Sequence, residues 1–161
     1  MKIDKNKSVL LLIDFQEKLY PHMNNKEELY AKTLVLLSGA QSLGIEMMAA
    51  RQYPKGLGDV VEEFRSFFDR YYDKISFSCC GSEELTAHLN NINKKYVIIA
   101  GIEAHVCVLQ TVIDLKEQGY IPVVVADAIA SRKTKDYDFA LKRMEYEGAV
   151  LTTTESILFE L

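Results

Sequence analysis

"KYVIIAGIEAHVCVLQTVIDLKEQGYIPVVVAD" spans residues 95–127, and the way its pattern changes along the chain decides the fold. "KYVIIAG" (95–101) is apolar without a polar face. An alternating run would mark a strand with one wet side, whereas a continuous one marks a strand buried on both. Gly101 permits a tight turn. From residue 103 the period becomes helical, with apolar residues at Val108, Val112 and Leu115 and a capping glycine at Gly119. "YIPVVVAD" (120–127) is again apolar on both faces. Two doubly buried strands joined by an amphipathic helix form a parallel unit with a right-handed crossover.

The alternation continues on both sides. Upstream, "SVLLLID" (8–14) is a first strand. "KEELYAKTLVLLSGAQSLG" (26–44) has helical spacing at Leu29, Leu34, Leu37, Ala40 and Leu43, and stops at Gly44. "IEMMAARQY" (45–53) is a second strand closed by the turn residues "PKGLG". "DVVEEFRSFFDRYY" (59–72) reads as a short helix, "DKISFS" (73–78) as a weaker third strand, and "SEELTAHLNNIN" (82–93) as a helix N-capped by Ser82. Downstream come a helix "KDYDFALKRMEYEG" (135–148), a last short strand "AVLT" (149–152) and a final helix in "TTTESILFEL", where Thr152 and Glu155 are spaced as a capping box. This order predicts a three-layer α/β/α, doubly wound, Rossmann-like fold. Its six-stranded, mainly parallel sheet has strand order 3-2-1-4-5-6, and residues 1–161 form a single domain.

Composition narrows the function classes. The chain has 161 residues, 48% apolar and 26% charged, with a formal net charge of −4. Acids and bases are interspersed and no basic patch stands out, so nucleic acid is not an expected partner. No apolar run approaches the ~20 residues that span a bilayer. The start "MKIDKNKSVLLLID" has too short an apolar run for a signal peptide. Three cysteines, Cys79, Cys80 and Cys107, are an odd number without framework spacing, which fits a reducing cytoplasm.

In an open parallel sheet, ligands sit beyond the carboxyl ends of the strands, where strand order reverses. Asp14 closes the first strand and Cys107 follows the fourth, its neighbour in the expected order, so the two face one crevice. "DFQEKLY" after the first strand carries no GxGxxG, and an acid there repels a pyrophosphate, which argues against a dinucleotide. A cysteine on the first turn of a helix, near a cation, is a plausible thiolate nucleophile. Taken alone, Cys107 reads equally as a small buried apolar residue.

The residues "LLIDFQ", "DKISFS" and "GIEAHVCVLQT", continued by "VVVADAIASR", "ALKRMEYEGA" and "TTTESILFEL", resemble the isochorismatase-like cysteine hydrolase superfamily over nearly the whole chain. "QYPKGLG" and "GIEAHVCV" are most similar to its small isochorismatase-domain-containing branch. The resemblance implies catalytic Asp14, Lys74 and Cys107: Asp14 takes the thiol proton, and Lys74 holds the charged pair together. A carboxylate alone raises the pKa of a neighbouring thiol, and the lysine offsets this in favour of the thiolate. The resemblance also implies a cis peptide between Ile102 and Glu103, with the backbone N–H groups of Glu103 and Cys107 as an oxyanion hole. Side-chain identity at Glu103 is then of little consequence.

Members of that superfamily that act on nicotinamide carry a histidine-rich metal site after the second strand. Here the matching "RQYPKGLGDV" has no histidine, and His22, His88 and His105 lack ligand spacing, so neither a metal nor another cofactor is expected. His105 reads as a helix-surface residue or the pocket edge. The expected reaction is hydrolysis of an amide in a small molecule through a Cys107 thioester. An ester or enol ether is the alternative bond, and a non-catalytic binding protein or thiol sensor the alternative class. Phe15, Tyr53 and Phe77 are candidate pocket walls, Gln16 and Gln52 candidate polar contacts, and Cys79 and Cys80 structural. Apolar residues on more than one face of "VVEEFRSFF" and "ESILFEL" suggest a homo-oligomer, a dimer or higher.

Overall fold

The structure, a computed structural model, describes all residues from Met1 to Leu161. The elements run β1 (Ser8–Ile13), α1 (Lys26–Ser42), β2 (Glu46–Gln52), α2 (Pro54–Leu57), α3 (Glu62–Arg65), β3 (Tyr71–Lys74), α4 (Glu83–Ile92), β4 (Tyr96–Ile102), a π-helical turn (Ala104–Val108), α5 (Leu109–Glu117), β5 (Ile121–Ala130), α6 (Thr134–Tyr146), β6 (Val150–Thr152) and α7 (Thr154–Glu160). The six strands pair in parallel in the order β3-β2-β1-β4-β5-β6, as the sequence predicts.

The doubly buried strands are the ones with continuous apolar runs. Every residue of β1 and of β4 is buried. Alternate residues of β1 enter different cores, as a period of two demands. Leu10 and Leu12 pack with Leu36 and Leu37 of α1 and Ile157 of α7, while Val9, Leu11 and Ile13 pack with Leu85 of α4, Val112 of α5 and Met144 of α6. Three-layer architecture is thus written into one hexapeptide.

Three local expectations are corrected. The third strand is Tyr71–Lys74 rather than 73–78. Tyr71 and Tyr72, aromatic strand formers, take the pairing positions opposite Ala49 and Ala50, while residues 75–77 leave the sheet. The helix expected over 59–72 shrinks to Glu62–Arg65. Its anchor is Phe64, fully buried against Phe15 at 4.9 Å and Tyr30 at 5.1 Å between ring centroids. The last helix is capped by Thr153, whose side chain accepts from the Ser156 N–H, and not by Thr152.

Gly101 has a φ of +126°, and a Cβ there would collide with the Ile13 backbone, carbonyl oxygen included. Only glycine lets β4 press against β1 at this point. Directly opposite, β5 bulges: Ile99 pairs with Val124, but Gly101 already pairs with Ile129. The sheet is therefore tight between β1 and β4 and irregular beyond, at the carboxyl ends where the site lies.

Candidate active site

Asp14 directly follows β1 with φ +50°, a left-handed conformation that costs an aspartate about 1 kcal/mol or more. Its N–H donates to the Ala50 carbonyl at 3.1 Å, which holds it at the strand end. Lys74, the last residue of β3, reaches across the end of β2 to meet it. The Lys74 Nζ donates to Asp14 Oδ2 at 2.8 Å, with both side chains fully buried. It also donates to Gln52 Oε1 at 2.7 Å, to the Phe77 carbonyl at 2.8 Å and to the Ser76 carbonyl at 3.1 Å. Three ammonium protons thus serve four acceptors. The displaced third strand has its reason here: Ser76 and Phe77 turn their carbonyls onto the ammonium, which a strand paired to β2 could not do.

The second carboxylate oxygen, Asp14 Oδ1, is buried and has no hydrogen-bond partner. An orphaned acceptor on a buried carboxylate is costly. Cys107, in the π turn after β4, is 7% exposed, and its thiol interacts with both Asp14 and Lys74. Burial and the Asp14 carboxylate push the Cys107 thiol up to about 12, with Lys74 opposing. At neutral pH the thiol keeps its proton. The expectation that the lysine favours a resting thiolate is corrected accordingly: in this dry site, desolvation and the carboxylate together outweigh the lysine. Burial also raises the Asp14 carboxyl above its ordinary value, with Lys74 offsetting this in part. Burial disfavours the Lys74 charge, but the groups facing the ammonium, the Asp14 carboxylate foremost, together hold its pKa above the ordinary value.

The turn that carries Cys107 opens with Ile102 and Glu103, joined by a cis peptide. The Glu103 carbonyl accepts from the N–H groups of Val106 at 3.1 Å and Val108 at 3.2 Å. The Glu103 N–H donates to no protein acceptor.

The proposed pocket residues separate into two groups. Tyr53 and Phe77 are 54% and 55% exposed and rim the site. Phe15 and Gln16 are fully buried and are not pocket walls. Phe15 stacks 5.1 Å from Tyr20 in the core. The Gln16 amide ties strand ends together: Nε2 donates to the carbonyls of Gln52 and Gly58, and Oε1 accepts from the Gln52 N–H at 2.7 Å. Gln52 holds Lys74 in place, since its Oε1 accepts from the Lys74 ammonium and its Nε2 donates to the Ile75 carbonyl. A cavity of about 620 Å³ beside the site is lined in part by Tyr53, Tyr71, Lys74, Ile75, Glu83 and Glu84. Cys79 is fully buried, and its N–H donates to Thr111 Oγ1, which in turn donates to the Cys107 carbonyl at 2.7 Å. Thr111 is a support of the Cys107 turn that sequence reasoning missed; its place one helical turn after Cys107, on the same face, was the available signal. The histidines lie apart: His88 binds Glu46 and His105 binds Ser131. No three His, Cys, Asp or Glu side chains converge as metal ligands do.

The isochorismatase domain model matches residues 8–156. The chain is 37% identical over 161 residues to isochorismatase domain-containing protein 2 of Xenopus laevis, covering 99% of this chain and 78% of that protein. Among solved structures it is similar to the MAR1 ribonuclease of Caenorhabditis elegans, with a TM-score of 0.93, 38% identity, and coverage of 100% of this chain and 84% of the other. It is also similar to the ycaC gene product of Escherichia coli, described as an octameric hydrolase of unknown specificity, with a TM-score of 0.96, 26% identity, and coverage of 100% and 82%.

Proposed function

This chain belongs to the isochorismatase family, and from that premise we propose that it is a cysteine hydrolase cleaving an amide or similar C–N bond in a small molecule. One observation carries the reading: a fully buried Asp14–Lys74 ion pair whose free oxygen, Oδ1, has no partner, next to a nearly buried thiol. A buried ion pair is a poor way to stabilise a fold, and apolar residues of similar volume would serve as well or better. Its presence at the strand ends of a parallel sheet is explained by chemistry.

The steps follow from the charges. The Cys107 sulfur attacks the substrate carbonyl carbon as its proton passes to Asp14, whose burial-raised carboxyl makes it a stronger base than a surface aspartate. The carbonyl π pair moves onto oxygen, which the N–H groups of Glu103 and Cys107 hold. The C–N bond then breaks, the amine leaves with the proton from Asp14, and a thioester remains. Water then attacks the thioester carbonyl as Asp14 takes its proton, the C–S bond breaks, the acid leaves, and the Cys107 sulfur takes the proton back from Asp14. Lys74 stays charged throughout and keeps Asp14 from being displaced by its own desolvation. No step needs a metal. The same groups would serve an ester. A sensor role fits less well, because a thiol held near 12 is largely protonated and oxidises slowly.

The ribonuclease named among the similar structures does not redirect the reading, because a net charge of −4 without a basic stripe offers little to a phosphate backbone. We further propose a homo-oligomer, as in the octameric relative. Exposed Phe159, Tyr146 and Ile75, each at least 86% exposed, are the apolar residues to be covered. No helix is long and apolar enough to cross a membrane, and a cytoplasmic site of action fits three unpaired cysteines.

The test is a screen of small primary and secondary amides against the wild type, Cys107→Ala and Asp14→Asn. Turnover is expected in the wild type, none in Cys107→Ala, and a kcat lowered by about 10²–10⁴-fold in Asp14→Asn. Full activity in Cys107→Ala would end the proposal.

A further inference from the structure

The side chain at Glu103 is not idle. Resting on the hydrolase reading above, we infer that Glu103 and Arg132 are positioning residues: their pairing aims the Glu103 N–H at the developing oxyanion and cancels the charge the glutamate would otherwise place beside it.

The Glu103 side chain is only 11% exposed, although it stands in a turn beyond the carboxyl end of the central strand β4. Its carboxylate accepts three hydrogen bonds from one residue: Arg132 N at 3.0 Å, and Arg132 Nε at 3.0 Å to one oxygen and 3.2 Å to the other. Two residues on, His105 Nδ1 lies 2.8 Å from Ser131 Oγ. Ser131 is itself buried, and its carbonyl accepts from the Asn24 N–H at 3.1 Å. Glu103 and His105, both in the turn that carries the nucleophile, are thus fastened to two consecutive residues of the loop between β5 and α6. Between them, Ala104 is fully buried in the core.

This leaves little freedom at Glu103. Its side chain is held by Arg132, its carbonyl by Val106 and Val108, and its N–H alone is free to donate. A preorganised donor of this kind contributes because it need not reorient when charge develops. The second part of the argument is electrostatic. A carboxylate on the very residue that donates to an oxyanion would repel it, and in a site shielded from water that repulsion is poorly screened. The Arg132 guanidinium makes the pair neutral overall. A surface ion pair of ordinary kind would not be assigned such a role, but this one is mostly buried on the acidic side and includes a backbone donor.

The experiment uses p-nitrophenyl acetate as the acyl probe and iodoacetamide as the control. Acyl transfer passes through an oxyanion, whereas alkylation of the Cys107 thiol does not. In Arg132→Met, kcat for acyl transfer is expected to fall about tenfold to a hundredfold, with KM nearly unchanged. The alkylation rate of Cys107 should stay within about twofold of wild type. Arg132→Lys should recover part of the loss, and Glu103→Gln combined with Arg132→Met should recover more, since no unpaired carboxylate remains. Equal losses of acylation and alkylation in Arg132→Met would mean that the pair only holds the turn together, and no loss in either would mean that it does nothing; both overturn the inference. If the wild type shows no Cys107-dependent acyl transfer at all, the hydrolase reading fails and this one with it, an outcome distinct from a wild type that turns over and an Arg132→Met that turns over equally well.

Discussion

Replacing Lys74 by methionine keeps the length of the side chain and deletes its charge. The structure allows the cost to be worked out. Asp14 Oδ2 loses its 2.8 Å donor and Oδ1 already has none within hydrogen-bond geometry, so a fully buried carboxylate keeps no cationic partner and only the weak donor of the Cys107 thiol beside it. Breaking one side of a buried ion pair costs about 3–5 kcal/mol. Gln52 Oε1 and the carbonyls of Ser76 and Phe77 lose a donor too. Those losses are softened because Ile75 and Phe77 are exposed, and their loop can turn to water. We therefore expect Lys74→Met to lose about 3–5 kcal/mol in urea unfolding at neutral pH, with an unchanged m-value. Burial already raises the Asp14 carboxyl, and without the lysine nothing opposes it. A carboxyl whose folded pKa lies above its unfolded 3.8 makes the folded state bind more protons than the unfolded one, so stability falls as pH rises from about 4. The variant should accordingly be most stable in mild acid, relative to wild type. Adding Asp14→Asn to Lys74→Met removes the stranded charge and should return part of the loss. A Lys74→Met loss under about 1 kcal/mol, or a double variant less stable than the single one, would refute the buried-pair description.

Two further outcomes are expected. The Cys107 thiol, raised by burial and by Asp14 to about 12, favours the folded state below its unfolded value of 9.0, and that contribution is lost as pH climbs from there through the folded value. Alkaline unfolding of Cys107→Ala should therefore begin at higher pH than in wild type; an identical or earlier alkaline transition would contradict this. Gly101→Ala combines a φ of +126° with a clash against the Ile13 backbone, so a loss of about 3 kcal/mol or more is expected in denaturant unfolding, and a loss below about 1 kcal/mol would mean that the β1–β4 contact yields easily.

The parts of the fold that were legible in the sequence are those where burial dictates composition. "SVLLLI", "YVIIAGI" and "IPVVV" are apolar because both faces of their strands are covered, and the sheet order follows from that pattern and crossover handedness. The third strand was displaced in the reading because "DKISFS" has a strand's alternation while its backbone answers a tertiary demand, the Lys74 ammonium, which no local pattern reports. Asp14 and Cys107 could be placed at one crevice from topology alone, and Lys74 only through the family resemblance. The pocket was read worst. Phe15 and Gln16 follow Asp14 directly, yet the left-handed turn at Asp14 sends both inward, where Gln16 splices the backbone of Gln52 and Gly58. The thiol's protonation was misjudged because desolvation depends on packing that a sequence does not disclose. Arg132 had no local signal at all, being one of two basic residues in a short loop 29 positions from Glu103.

The most direct test of the central claim is to look for the acyl-enzyme. Wild type is mixed with p-nitrophenyl acetate, quenched in acid within the first turnover, and its intact mass and peptide masses are measured. One acetyl group on Cys107, absent from Cys79 and Cys80, lost on longer incubation and formed much more slowly in Asp14→Asn, is the result this account requires. An unmodified Cys107 in a protein that still releases p-nitrophenol, or acetylation shared evenly among the three cysteines, would contradict it.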